Sequence, residues 1–184
     1  MLGNAGSAHS VGQDGIPAEY HSPARYLELI CHLCLYSPLL VTVAAERSEQ
    51  WLPLMKAVIG RYGAGQVCRI SGKKVTAASD SMQLLVCCVA AGLGLKQLPK
   101  DPIAARETIL ETARKRVADD GHDPLMVIVD RADLLAPEIL QELAQLALMA
   151  SHNISICLFG DGSFADLIKE SPAVARCYRI QLDA

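Results

Sequence analysis

The sequence predicts an α/β domain in three layers, α/β/α, around a five-stranded parallel sheet. Three observations carry that expectation. Short apolar runs alternate with helical patterns along most of the chain, and such alternation produces parallel strands covered by helices on both faces. The stretch LLVTVAAERSEQ reads as a buried strand over 39–44 that runs directly through a turn into a helix. Farther on, LMVIVD is five apolar residues closed by Asp130, the pattern of a strand buried on both faces.

The elements follow in order. Residues 1–21 are rich in Gly, Ser and Ala without periodicity and read as a flexible leader; the domain spans 22–184. Ser22-Pro23 opens a helix to about Tyr36, an N-cap followed by proline at the first helical position, with Tyr26, Leu29, Ile30, Leu33 and Cys34 at helical spacing. Ser37-Pro38 ends it and feeds the first strand. A second helix is expected over 51–61, a second strand over 66–70, and a solvated turn at Ser71-Gly72-Lys73-Lys74. Ser79-Asp80 caps a helix to Ala91, which Gly92 and Gly94 stop. Asp101-Pro102 starts another to Ala118, and 119–124 is a polar loop. After the strand over 125–129, Ala136-Pro137 opens a helix to Ala150. A fourth strand is expected over 153–159, a turn at Gly160-Asp161-Gly162, a short helix over 164–169 and a fifth strand over 177–182.

Composition narrows the function classes. With 184 residues, 51% hydrophobic and 20% charged, the chain is a globular domain large enough for a substantial core. A net charge of −3 lacks the basic stripe expected of a nucleic-acid binder. The seven cysteines are an odd number, mostly inside apolar segments, which suits reduced thiols in a cytoplasmic protein. No basic start precedes an apolar core, so no signal peptide is expected. The apolar runs over 84–95 and 29–45 are too short or too interrupted to span a bilayer.

In nucleotide-binding α/β proteins the first strand–turn–helix junction carries G-x-x-x-x-G-K-[ST], whose backbone N–H groups wrap the phosphates. Here Val43 stands at the first glycine, Ser48 at the second, Glu49 at the lysine and Gln50 at the Ser/Thr. Side chains at 43 and 48 restrict the backbone where the loop needs glycine, and Glu49 replaces a phosphate-binding cation with an anion. The complementary strand offers Asp130 for a Mg²⁺ shell, but Arg131 stands where many ATPases have a water-activating Glu, and arginine stays protonated. Taken alone, Asp130 reads as a strand-end residue bonding to a neighbouring loop.

Other patterns carry less chemistry. Cys31-His32-Leu33-Cys34 is C-x-x-C, but late in a helix, whereas redox pairs favour the helix N-terminus; buried thiols are the expected reading, and two further zinc ligands are not evident. Ser71 to Lys74 imitates G-K-[ST] without the upstream glycine. Gly160-Asp161-Gly162-Ser163 lacks G-x-S-x-G spacing and reads as a helix-entry turn.

Over roughly residues 22–184 the chain resembles the AAA+ P-loop domains of the ExeA/GspA secretion ATPases and the DamX-type cell-division proteins. SPARYLELICHLCLYSPLLVTVAAERSEQ resembles their helix, strand and Walker A motif, VIVDRADLLAPEILQELAQLA their Walker B strand and following helix, ISICLFGD the sensor-one strand and RCYRIQLDA the closing strand. The resemblance implies strand order 5-1-4-3-2 and envelope work from the cytoplasmic side, this chain standing alone or as the cytoplasmic part of a longer protein. With its motifs degenerate and no lid helices expected, the chain is expected to be a pseudo-ATPase without cofactor or metal. Expected partners are proteins, its own copies included. Two alternatives stay open: a weak ATPase using Lys73 or Arg47 as the phosphate cation, and a RecA-like inhibitor of a polymerising partner. A salt bridge of Glu49 with Arg131, or of Glu46 or Glu49 with Arg47, is the expected filling of the vacant phosphate site.

Overall fold

A computed structural model describes residues 23–63, 65–119, 121–170 and 177–182; the leader over 1–21 and the Ser22 cap lie outside them. Five strands, β1 (Leu40–Ala44), β2 (Val67–Ser71), β3 (Leu125–Asp130), β4 (Ile154–Gly160) and β5 (Cys177–Gln181), form one sheet. Its order is β2-β3-β4-β1-β5, with every pairing parallel. This is the order 5-1-4-3-2 that the resemblance implied.

The helices are α1 (Pro23–Tyr36), α2 (Ser48–Tyr62), α3 (Gly72–Thr76), α4 (Ser81–Gly92), α5 (Pro102–Ala118), α6 (Pro137–Ala150) and α7 (Gly162–Glu170). Side chains along a strand alternate between its faces, and the core splits accordingly. Val41 and Val43 of β1, Met126 and Ile128 of β3, and Cys157 and Phe159 of β4 pack with Tyr26, Ile30 and Cys34 of α1 and Trp51, Met55 and Val58 of α2. The other face sets Leu40, Ile70, Val127, Val129, Ile156 and Leu158 against α4, α5, α6 and α7. Two hydroxyls drawn into these layers find backbone partners, whereas the buried Trp51 indole N–H has none among the described residues. The Thr42 hydroxyl donates to the Tyr178 carbonyl at 3.1 Å, and that of Ser155 donates to the Cys34 carbonyl.

The structure corrects three local expectations. Ser71-Gly72-Lys73-Lys74 is not a solvated turn: Gly72 begins α3, and Gly72 and Val75 are both buried. A polar tetrapeptide hides this, because the apolar anchor Val75 comes one residue later. Helix α2 begins at Ser48, three residues before the expected Trp51. Its N-terminus is formed by polar residues and it tolerates Pro53, whose missing N–H leaves only the Glu49 carbonyl without its helical donor. Gly160 belongs to β4, paired with Ala44 of β1, and not to the turn that follows. Caps placed at Asp80 and Asp101 hold: each carboxylate accepts the N–H of the third residue on, Gln83 and Ala104, at 2.8 Å. Among the described residues no helix is long and apolar enough to cross a membrane.

Candidate functional site

In open parallel sheets ligands bind beyond the carboxyl ends of the strands, where the strand order reverses. Here the relevant ends are Ala44 of β1, Asp130 of β3 and Gly160 of β4.

The β1–α2 junction is short. Only Ala45, Glu46 and Arg47 separate the strand from the helix. Val43 sits within β1, paired with Phe159 and Ile180 and fully buried, so the chain at this position is sheet and not loop. Ala44 is held by the Leu182 N–H at 2.8 Å, and the Ala45 N–H donates to the Gly160 carbonyl at 3.2 Å. Arg47 is extended and is the N-cap residue of α2. Its N–H donates to the Gln50 side-chain carbonyl at 2.8 Å, while the Gln50 N–H donates back to the Arg47 carbonyl at 3.1 Å. Ser48 opens the helix and Glu49 follows in its first turn, where a carboxylate complements the helix dipole. A donor that could face a phosphate is thus taken by the chain's own amide, and an anion is already built in.

The β3 end is rich in charge. Asp130, the last residue of β3, accepts from the Arg69 guanidinium of β2 at 3.0 Å. Arg131 then takes a left-handed conformation, φ 59° and ψ 50°, ahead of a 3-10 turn over Ala132–Leu134. Its guanidinium donates from Nε to both Asp133 carboxylate oxygens at 3.1 and 3.2 Å and from Nη2 at 2.8 Å. It also lies 3.6 Å from Asp161. The Asp133 carboxylate is only 2% exposed and also accepts the Asp161 N–H at 3.4 Å. Hydrogen bonding to Asp133 raises the Arg131 pKa above its usual value, with Asp161 and Asp130 adding to it, so this cation is permanent. The expected Glu49–Arg131 contact is therefore replaced: Arg131 engages Asp133 and Asp161. Two and thirty residues away in sequence, those carboxylates meet it only because the tight turn brings one back and β4 pairs beside β3.

The neighbouring turns are packed onto this clasp. A Cβ on Gly72 would lie 2.0 Å from the Arg131 carbonyl oxygen, so only glycine permits α3 to approach the β3 turn. The Thr76 hydroxyl donates to the Leu134 carbonyl at 2.7 Å. On the β4 side, Asp161 accepts both the N–H and hydroxyl of Ser163, at 3.0 and 2.5 Å, which sets the start of α7. Phe164 is fully buried, and a Cβ on Gly160 would meet its ring at 2.6 Å. Asp161-Gly162-Ser163 is thus the helix entry, while Gly160 is the last residue of β4. Sequence reading missed Asp133, Asp161, Gly72 and Thr76. The local signal available was the D-R-x-D spacing, which becomes an ion pair only in a 3-10 turn.

The cysteine pair lies elsewhere. Cys34 is buried and Cys31 partly so, both on α1, and all seven cysteines are free thiols. Burial, followed by the nearby Cys34, raises the Cys31 pKa, which opposes thiolate chemistry. Among the described residues no group of three or more His, Cys, Asp and Glu is arranged to hold a metal ion. Arg47 and Lys73 are both exposed, at the starts of α2 and α3.

No protein-family model matches the chain, and no curated protein matches it in sequence. Solved structures do match. The chain is similar to one in the structure of Drosophila ORC bound to GC-rich DNA and Cdc6, with a TM-score of 0.55 and 17% identity over 90% of this chain and 29% of that one. A chain of Drosophila ORC bound to DNA gives 0.59 and 13%, over 78% and 37%. One of Drosophila ORC bound to AT-rich DNA and Cdc6 gives 0.54 and 17%, over 90% and 29%. The chain thus spans less than two-fifths of each matched chain. At these identities the likeness is one of fold. Together with the strand order, it gives the chain the topology of a P-loop NTPase of the AAA+/RecA-like kind.

Proposed function

We propose that this domain is a pseudo-ATPase: an AAA+-like module that binds protein partners, copies of itself among them, and does not turn over nucleotide. The observation that carries this reading is the β1–α2 junction, where Val43 is locked in the sheet and the Arg47 N–H is occupied by Gln50. The placement of Glu49 in the first turn of α2 supports it, as does the engagement of Asp130 by Arg69. The resemblance to the ExeA/GspA and DamX-type domains suggests a cytoplasmic role in envelope processes such as cell division or secretion-system assembly. The matched ORC structures are DNA-bound complexes, but a net charge of −3 gives DNA no electrostatic footing here.

A weak nucleotide-binding ATPase remains the second reading, favoured by the exposed Arg47 at the start of α2. A thermal-shift titration with Mg-ATP, Mg-ADP and a guanine nucleotide separates the two. A ligand at a hundred times its Kd adds about 2.7 kcal/mol to stability, so binding raises the melting temperature visibly. The pseudo-ATPase reading expects no shift. A saturable shift that Arg47→Ala removes would overturn it in favour of the second.

A further inference from the structure

At the opposite end of the sheet, beside the residues that enter β2 and β3, α1 and the last turn of α2 enclose a cleft of about 470 Å³. Small-molecule sites typically run to roughly 300–1,000 Å³, with an apolar lining and a few convergent polar groups. This cleft has that character. Leu27, Cys31, Leu35 and the ring of Tyr62 line it, and Glu28 and Arg61 open onto it.

The charges are what narrow the ligand. Asp123, also in the lining, is engaged, accepting from the Gln66 amide at 3.1 Å. Arg61 and Glu28 face the same space and have no hydrogen-bond or ion-pair partner among the described residues. A cation and an anion that share a cleft without pairing present complementary charges to a ligand bearing both signs. The walls add aromatic surface. His32 and Tyr36 pack with ring centroids 4.8 Å apart and planes 46° apart, and Tyr36 is 69% exposed, leaving ring surface that a second aromatic group would cover favourably. The Tyr62 hydroxyl donates to the Cys31 carbonyl at 3.2 Å, which ties that ring to α1.

We propose that this cleft binds a small zwitterion with an aromatic side chain, the chemistry of a free aromatic α-amino acid. Its carboxylate lies on Arg61, its ammonium on Glu28, and its ring on the floor between Leu35 and the tyrosines. The site is separate from the strand-end site and independent of whether nucleotide binds there.

The test is a calorimetric titration of the full chain with L-phenylalanine, against phenylacetate and phenethylamine, which each keep one of the two charges. The expected result is saturable binding of phenylalanine, with each comparator roughly tenfold weaker, the size of a lost hydrogen bond to a charged group. Arg61→Ala and Glu28→Gln should each weaken phenylalanine by a similar factor, and Arg61→Lys should retain it. Leu35→Trp, at a lining position outside the core clusters, should fill the floor and abolish binding while the melting temperature stays unchanged. Absence of saturable binding to the wild-type chain overturns the proposal, as does binding that Leu35→Trp leaves intact. Equal affinity for phenylacetate overturns the role of Glu28.

Discussion

At the β1–α2 junction the backbone closes on itself through uncharged contacts, whereas at the β3 and β4 ends the same edge of the sheet is held by ions. Val43 and Ala44 remain in the ladder, and Gln50 ties down the Arg47 N–H. Across β4 on the same edge, Arg131 joins Asp133 and Asp161, and Asp130 is neutralised by Arg69. The first half is closed by backbone and amide contacts, with Gln50 holding the Arg47 N–H. The second is charged throughout, but each charge is matched by a neighbour, and Asp133 is buried. The lesson is that a strand-end edge can be completed either by shortening its loop or by pairing its charges internally, and this chain does one on each side.

That contrast can be broken at the charged half first. Gly72→Ala should have the largest effect, because the added Cβ would meet backbone, the Arg131 carbonyl, at 2.0 Å and neither α3 nor the turn can yield cheaply. A loss of about 3 kcal/mol is expected, read from the denaturant midpoint. If α3 were the solvated turn its sequence suggests, the loss would vanish.

Arg131 comes next. Arg131→Ala removes the cation from the buried Asp133 carboxylate and should cost about 2 kcal/mol. Arg131→Gly deletes the same guanidinium but suits φ 59°, so it should be less costly than alanine by about 1 kcal/mol. Chemical denaturation of the two variants side by side isolates the backbone contribution; equal losses would mean that the left-handed turn relaxes.

The uncharged half should respond least. Gln50→Ala frees the Arg47 N–H, which reaches water at this exposed position, and should cost about 0.5–1 kcal/mol. The same variant sharpens the comparison when it is titrated with Mg-ATP. If opening this N–H alone creates nucleotide-dependent stabilisation, the junction is closed by its cap and not by the strand.

Much of the fold was legible because its signals are local. The apolar runs that became β1, β3 and β4 stand out against their surroundings, and Asp80 and Asp101 mark helix starts by side-chain chemistry that needs no tertiary partner. Helix α3 and the first turn of α2 were illegible. Both are short polar stretches, GKK and SEQ, whose helicity depends on packing that a five-residue segment cannot supply alone.

Residue identity by itself determined what is missing from the phosphate loop, since glycines at 43 and 48 and a lysine at 49 are either present or not. It also determined that Arg131 cannot act as a base. Only the tertiary structure decided what these residues do instead. Glu49 sits exposed in the first turn of α2, and Arg131 pairs with Asp133 and Asp161. Gly72 is essential through contact with a carbonyl fifty-nine positions away. Ion pairs and close approaches of this kind depend on which strands lie side by side and on the φ and ψ of single turn residues, and neither is written in the spacing of charges along the chain.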